Sequence, residues 1–76
     1  MQALEYRVEY DPVADALYVR VRRDRVADTL EIGKGILVDL NEEGEIIGLE
    51  ILEFSKRKID LSKIFVSGIE VVVRAI

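Results

Sequence analysis

One stretch decides how this chain folds, namely YDPVADALYV at residues 10–19. It joins a tight-turn signal directly to a strand in which apolar and polar residues alternate. Pro12 fixes φ at the first turn position, and Asp11 before it can accept hydrogen bonds from the backbone ahead. Asp15 is expected to help close the same turn. The stretch therefore predicts a turn that leads straight into a half-buried strand.

Period-two alternation continues on both sides of this stretch. Before it, the apolar residues of 4–10 fall on one face of a strand and the charged residues on the other. After it, residues 16–22 form a second strand, and RDR at 23–25 suits the loop of a hairpin that leads to a third strand at 27–32. GKG at 33–35 supplies the next turn, because glycine tolerates positive φ.

The following hairpin differs in kind because both of its faces are apolar. In its first strand, Leu37 faces away from Ile36 and Val38. After the turn NEEG at residues 41–44, apolar residues again occupy both faces. We expect this hairpin to lie in the middle of the sheet, with something packed over each side. Gly48 within it suggests a β-bulge or the close approach of another element.

Two further elements are predicted in the C-terminal part of the sequence. A helix of about seven residues should begin after Asp60 as its N-cap and end at Gly68. A last strand runs over residues 69–76. The predicted fold is therefore α+β: a single domain of residues 1–76, built as an antiparallel β-meander of five or six strands with one short helix packed on a face.

Composition narrows the class of protein. The 76 residues leave room for one core, and 50% of them are hydrophobic, which argues against disorder. There is no cysteine, so neither a disulfide framework nor a thiolate metal site can stabilise the fold. The first residues carry no apolar run of signal-peptide length, and no stretch approaches the roughly 20 apolar residues that span a bilayer. We therefore expect a cytoplasmic protein with no membrane attachment.

Several short pieces of the sequence together carry a family resemblance. They are YDP at 10–12 with ADALY at 14–18, GILVD at 35–39, GLEILE at 48–53 and SKR at 55–57. In order and spacing, these pieces resemble the prokaryotic family called domain of unknown function 2283, over about two-thirds of the chain. The resemblance implies a small β-rich protein without an established activity. Some members lie beside genes for small basic proteins that look like toxins, which implies an antitoxin-like partner role.

Catalysis finds little support in the residue types. The chain has no histidine and no cysteine, so it lacks the usual general base at neutral pH and the thiol nucleophile. We predict no enzyme, and no catalytic, cofactor-binding or metal-binding residue. The alternative is a carboxylate and metal-dependent enzyme that uses Asp11 and Asp15. A further alternative is weak nucleic-acid binding through Arg20 and Arg22, against which a net charge of −4 argues.

The function favoured by the sequence is a protein-interaction module. Its 15 acidic residues exceed its 11 basic ones and concentrate between residues 42 and 53, which suits a small basic protein as partner. We also expect a homo-oligomer, most simply a two-fold dimer, because the domain is small and an apolar C-terminal strand would leave an exposed edge. The candidate interaction surface comprises Tyr18, Arg20, Arg22, Glu50, Glu53, Ile69, Val71 and Val73.

Overall fold

A computed structural model describes residues 6–59, which form five β-strands and a 3-10 turn. The strands are β1 (Arg7–Asp11), β2 (Ala16–Arg20), β3 (Asp28–Gly33), β4 (Ile36–Leu40) and β5 (Ile46–Leu52), and the 3-10 turn spans Phe54–Lys56. The helix predicted after Asp60 and the strand predicted at 69–76 lie outside the described residues. Over residues 6–59 the structure holds no α-helix, and hence none long and apolar enough to cross a bilayer.

The five strands form one antiparallel sheet in the order β1-β2-β5-β4-β3. The predicted antiparallel sheet is thus confirmed, but the predicted simple meander is wrong. β2 pairs with β5 instead of β3, so the hairpin loop predicted at residues 23–25 does not form. The sheet instead joins a β1–β2 hairpin to a β3–β4–β5 meander through the pairing of β2 with β5.

The polarity of the strands explains this order. β5 has buried or half-buried side chains along its whole length and takes the centre of the sheet, as predicted for the hairpin with two apolar faces. β1 and β3 carry exposed residues at nearly every position and take the two outer places. A strand with charged residues on one face is tolerated at a sheet edge, where it also discourages unspecific strand pairing.

Residues 21–27 cross the end of the sheet from β2 to β3. The crossing is anchored at its start, where Val21 N–H donates to the carbonyl of Ile47 at 3.0 Å, and at its end, where Ala27 N–H donates to the carbonyl of Leu40 at 2.8 Å. It therefore passes the ends of β5 and β4, which lie between β2 and β3. These hydrogen bonds give the backbone N–H groups at both ends of the crossing segment partners within the protein, in place of water.

Asn41 holds the crossing and the β4–β5 turn together. Its side chain is buried, and its Oδ1 accepts the backbone N–H groups of Glu43 at 3.1 Å and Glu45 at 2.8 Å. Its Nδ2 donates to carboxylate oxygens of Asp24 and Glu45, both at 3.0 Å. One amide side chain thus closes the predicted turn and also fixes the crossing segment against it.

The core lies on one face of the sheet, here called the inner face. Its buried side chains are each at most 3% exposed: Leu17, Val19, Ile36, Val38, Leu49 and Ile51. Half-buried apolar side chains pack against them, among them Tyr6, Phe54 and Ile59. Toward the two outer strands the inner face becomes more exposed, with Val8 at 43% on β1 and Leu30 at 45% on β3.

The β1–β2 turn forms as the sequence predicts. Asp11 Oδ1 accepts the backbone N–H groups of Val13 at 2.9 Å and Ala14 at 3.2 Å, which is the way an aspartate before proline stabilises a turn. Asp15 completes the turn with a positive φ of 52°. This left-handed conformation is uncommon for a residue with a Cβ, and aspartate tolerates it better than most.

Asp15 also ties the β1–β2 turn to the 3-10 turn that follows β5. Its Oδ1 accepts the Tyr10 hydroxyl at 2.7 Å and the Ser55 N–H at 3.0 Å, and its Oδ2 accepts the Ser55 hydroxyl at 2.7 Å. Its carbonyl accepts the N–H of Phe54 at 3.0 Å. The hydrogen bonds from Ser55 and then from Tyr10 hold the pKa of the Asp15 carboxyl below its usual value.

Arg57 stabilises the same end of the sheet through hydrogen bonds to the backbone of β5 and of the β3–β4 turn. Its Nε donates to the carbonyl of Leu52 at 2.7 Å, and its Nη2 donates to the carbonyl of Lys34 at 2.6 Å. Gly35, in the β3–β4 turn, has φ of 74°, and a Cβ at this position would lie 2.8 Å from Arg57 Nη2. The positive φ therefore favours glycine here, and a side chain would also displace the guanidinium from its place beside the turn.

We predict that Asn41→Ala lowers the free energy of unfolding by about 1–3 kcal/mol, because it leaves backbone donors of the turn without their acceptor. Urea unfolding followed by circular dichroism measures this change. The matched control is Glu42→Ala, an exposed neighbour in the same turn, which should change stability by less than about 0.5 kcal/mol. Equal stability of the two variants would contradict the role given to Asn41.

Candidate functional site

The face of the sheet opposite the core, here called the outer face, carries its polar side chains in two rows across the strands. The pairing registers place Arg7, Arg20, Gly48, Asp39 and Thr29 in the first row, in sheet order. The second row runs Glu9, Tyr18, Glu50, Leu37 and Glu31 in the same order. The β1–β2 side of the outer face therefore has arginines in one row and a carboxylate in the next.

Tyr18 is the central side chain of the outer face. It reaches from β2 across Gly48 of β5, and its hydroxyl donates to Asp39 Oδ2 at 2.8 Å on β4. Thr29 on β3 donates its hydroxyl to the other oxygen, Asp39 Oδ1, at 2.7 Å. This chain of hydrogen bonds links β2, β4 and β3, and it crosses β5 at Gly48.

The absence of a side chain at Gly48 makes this arrangement possible. A Cβ at Gly48 would lie 2.6 Å from Tyr18 Cζ and nearer still to the hydroxyl oxygen. The pairing of the strands also shifts register between Asp39 and Leu40, so a bulge lies beside the glycine. The sequence predicted a bulge or a close approach at Gly48, and the structure has both.

The environment of Tyr18 favours its neutral form. Partial burial and the hydrogen bond to the Asp39 carboxylate raise the pKa of Tyr18 to about 12. The hydroxyl is therefore a donor committed to Asp39, and the ring is the part of Tyr18 that the surface presents. The guanidinium carbon of Arg20 lies 5.9 Å from the ring centroid, within the range of a cation–π contact.

A groove beside Tyr18 gathers the basic side chains of the outer face. It has a volume of about 750 Å³ and is lined by four arginines, Arg7, Arg20, Arg23 and Arg25, which we call the arginine groove. Its wall also holds two carboxylates, Glu9 and Asp24, so the lining has a surplus of positive charge. β1, β2 and the crossing segment meet here, which brings arginines from three parts of the chain together.

The two carboxylates of the groove are already engaged within the chain. Glu9 Oε1 lies 3.8 Å from Arg7 Nε, and both side chains are well exposed. Asp24 accepts the backbone N–H of Arg25 at 2.8 Å and the amide of Asn41, and these bonds keep the pKa of Asp24 below its usual value. Asp24 is therefore ionised across the physiological range and orients the segment that carries Arg25.

The structure brings together only part of the predicted interaction surface. Tyr18, Arg20 and Glu50 are neighbours on the outer face. Glu53 lies beyond the end of β5, exposed and with φ of 52°. Ile69, Val71 and Val73 lie outside the described residues.

Arg22 has a position different from that of Arg20. Its Nη1 donates to the carbonyl of Ile46 at 2.9 Å, its Nη2 lies 3.6 Å from Glu45 Oε2, and its side chain is only 16% exposed. It anchors the crossing segment to the start of β5. Period-two alternation grouped Arg22 with Arg20, but β2 ends at Arg20 and the alternation carries no information beyond that residue.

The acidic residues between 42 and 53 do not form one patch. Glu42, Glu43 and Glu45 belong to the β4–β5 turn, whereas Glu53 follows the far end of β5. Seven residues of extended strand separate the two groups by about 20 Å. Glu50 lies between them on the outer face. The arginines, in contrast, are collected by the crossing of residues 21–27, which the sequence did not reveal.

Within residues 6–59, no group of three or more metal-ligating side chains is close enough to hold an ion. Asp11 and Asp15 are the pair considered for a metal-dependent enzyme. Asp11 instead accepts hydrogen bonds that build the β1–β2 turn, and Asp15 accepts hydrogen bonds from Ser55 that tie this turn to the 3-10 turn. Asp39 likewise accepts from two hydroxyls. These three carboxylates therefore have structural partners of their own.

We predict strong coupling between Gly48 and Tyr18 in a double-mutant cycle of unfolding free energies. Gly48→Ala should be destabilising in the wild-type background because the new methyl group occupies the space of the Tyr18 ring. In the Tyr18→Ala background the same change should cost little, since the space is empty. We expect a coupling of about 1–3 kcal/mol, and a coupling near zero would show that the ring does not lie over Gly48.

A second prediction concerns alkaline pH. Because the folded-state pKa of Tyr18 is about 12 and the unfolded value is about 10, its contribution to stability is complete below pH ~10 and is lost as pH rises toward ~12. Unfolding free energies of the wild type and of Tyr18→Phe, compared over this range, should therefore converge with rising pH. Parallel profiles for the two proteins would contradict this environment for Tyr18.

Comparison with known proteins places the chain in a family. Neither the curated proteins nor the solved structures include a match to it. The sequence model of one family, described as Protein of unknown function (DUF2283), matches residues 7–55, a range that begins with β1 and ends in the 3-10 turn. This range holds the turn residues Asp11 and Asp15, the Tyr18–Gly48–Asp39 contact and the whole arginine groove. On this match over more than half of its length, the chain belongs to the DUF2283 family.

Proposed function

We propose that this domain is a protein-interaction module that receives an acidic segment of a partner protein in the arginine groove. The observation that carries the proposal is the convergence of Arg7, Arg20, Arg23 and Arg25 around one open groove of about 750 Å³. Like charges gathered on a rigid sheet create a local positive potential that attracts and orients an anionic partner.

The chemistry of the groove favours a polypeptide over a nucleic acid. The chain as a whole has a net charge of −4, and Glu9 and Asp24 stand in the groove wall. These carboxylates would repel a continuous line of phosphates but can accept hydrogen bonds from the N–H groups of a peptide. Glu50, next to Tyr18 on the outer face, extends the same mixed character.

The open shape of the groove supports a binding role. It lies on the surface of a sheet, and its aromatic member, Tyr18, is fixed by its bond to Asp39. A rigid aromatic ring beside arginines provides contact area without a large loss of side-chain entropy on binding. The carboxylates of the arginine groove have partners within the chain, which supports binding rather than catalysis as the role of this surface.

A small basic protein remains a second predicted partner. The residues that would attract it, Glu42 and Glu43 among them, are exposed in the β4–β5 turn. Within the described residues the acidic side chains are spread over the length of the sheet. The charge distribution therefore supports a basic partner less strongly than an acidic partner.

The test compares binding of three probes: a glutamate-rich peptide, a lysine-rich peptide of equal length and a single-stranded oligonucleotide. Fluorescence anisotropy should show tightest binding of the glutamate-rich peptide. Arg20→Ala combined with Arg25→Ala should weaken it by about 2- to 30-fold, at about 0.2–1 kcal/mol for each exposed ion pair lost.

The matched control is Lys34→Ala combined with Lys58→Ala, which removes the same charge from exposed lysines that do not line the groove. This control should change the affinity by less than about twofold if the effect is local. Preference for the lysine-rich peptide would point to the small basic partner, and preference for the oligonucleotide to nucleic-acid binding. An equal loss in both arginine and lysine variants would contradict a specific role of the groove.

A further inference from the structure

The two outer strands of the described sheet are β1 and β3, and they differ in what they offer to another strand. All five residues of β1 are exposed, and five of the six residues of β3 are exposed. An outer strand can add a further strand through its outward N–H and C=O groups. Side-chain pairs across the new ladder then decide which strand is accepted.

β1 has a sequence that is complementary to itself. In an antiparallel pair of two β1 strands centred on Val8, each Arg7 lies opposite Glu9 of the second copy. Both side chains are about two-thirds exposed on the outer face, where their ion pair within one chain, at 3.8 Å, can be exchanged for pairs with the second copy. On the inner face, Val8 meets its own copy and Tyr10 lies opposite Tyr6 of the second copy. The apolar side chains Val8 and Tyr10, 43% and 46% exposed, would be covered by the pairing.

β3 offers no comparable pairing. Its charged residues, Asp28 and Glu31, are both acidic, and centring two copies on Leu30 places Thr29 opposite Glu31 without opposite charges. The register of β3 also shifts between Glu31 and Gly33, and such an irregularity interrupts the edge that a further strand needs. Charge and geometry therefore single out β1 among the described strands.

We propose that a second copy of this chain binds along β1 in antiparallel orientation, with Val8 at the two-fold axis and two Arg7–Glu9 ion pairs on the outer face. The two five-stranded sheets become one continuous sheet through a closed, isologous contact. This interface shares Arg7 and Glu9 with the arginine groove, whereas Arg20 and Arg25 lie on β2 and the crossing segment, outside the β1 contact.

A single cysteine tests this contact directly, since the chain has none of its own. Directly opposed residues in an antiparallel pair have Cα atoms about 4.5 or 5.5 Å apart, within the range that a disulfide spans. Under mild oxidation at micromolar concentration, Val8→Cys should form a covalent dimer almost completely. The control Leu30→Cys has the same exposure on the same face of the other outer strand and should stay mostly monomeric. Equal cross-linking of both variants, or none in Val8→Cys, would overturn the proposal.

Charge exchange supplies an independent test that leaves the protein without cysteine. Arg7→Glu and Glu9→Arg, made singly, each place two like-charge pairs in the interface. Each should raise the dimer dissociation constant, measured by light scattering with size exclusion, by about tenfold or more. Arg7→Glu combined with Glu9→Arg restores opposite charges and should restore the dimer. Circular dichroism of each variant should show that the exposed substitutions leave the sheet intact. A monomeric wild type would contradict the β1 interface. A dimer that does not respond to the single substitutions would also contradict it, and would direct attention to another surface, such as Ile69, Val71 and Val73.

Discussion

The pairing of β2 with β5 is the contact on which the rest of the structure depends. Without it, the described residues would form a β1–β2 hairpin and a separate three-stranded meander, and the core side chains of the two pieces would not cover one another. With it, Leu17 faces Ile51 and Val19 faces Leu49, and these four side chains are at most 3% exposed. Burial of each such aliphatic side chain contributes roughly 1.5–3 kcal/mol relative to exposure, which offsets the entropy of closing a loop between distant segments.

The same pairing organises the surface. It places Tyr18 beside Gly48, so that the ring can cross β5 and bond to Asp39. It also forces residues 21–27 across the end of the sheet, which carries Arg23 and Arg25 to the groove beside Arg20. The pairing of β2 with β5 therefore determines both the core and the candidate site. Buried strands and Asn41 hold the site in place.

The sequence predicted the local features well because each has a local physical cause. The Asp-Pro turn and the glycine turns follow from backbone conformation, and the role of Gly48 follows from the lack of a side chain in an otherwise continuous strand. The five described strands were expected within a few residues of their observed bounds. The period-two pattern that predicts them is the same whichever neighbour a strand has.

Sheet order and the site could not be predicted for the same reason. Alternation along β2 is compatible with pairing to β3 or to β5, and the two apolar faces of β5 place it inside the sheet without indicating which strand lies beside it. The sequence assigns RDR at 23–25 to a hairpin loop, because the convergence of these arginines with Arg7 exists only after the crossing is known. Arg22 and the dispersed glutamates show the opposite effect: residues that are close in sequence lie at different ends or on different faces of the sheet.

Backbone nuclear Overhauser effects between strands test the central claim most directly, because they report which strands are neighbours in solution. The account predicts cross-strand contacts that join β2 to β5 in the register Leu17–Ile51 and Val19–Leu49, with none between β2 and β3. Contacts that join β2 to β3, as in a simple meander, would contradict the topology and with it the assembly of the arginine groove.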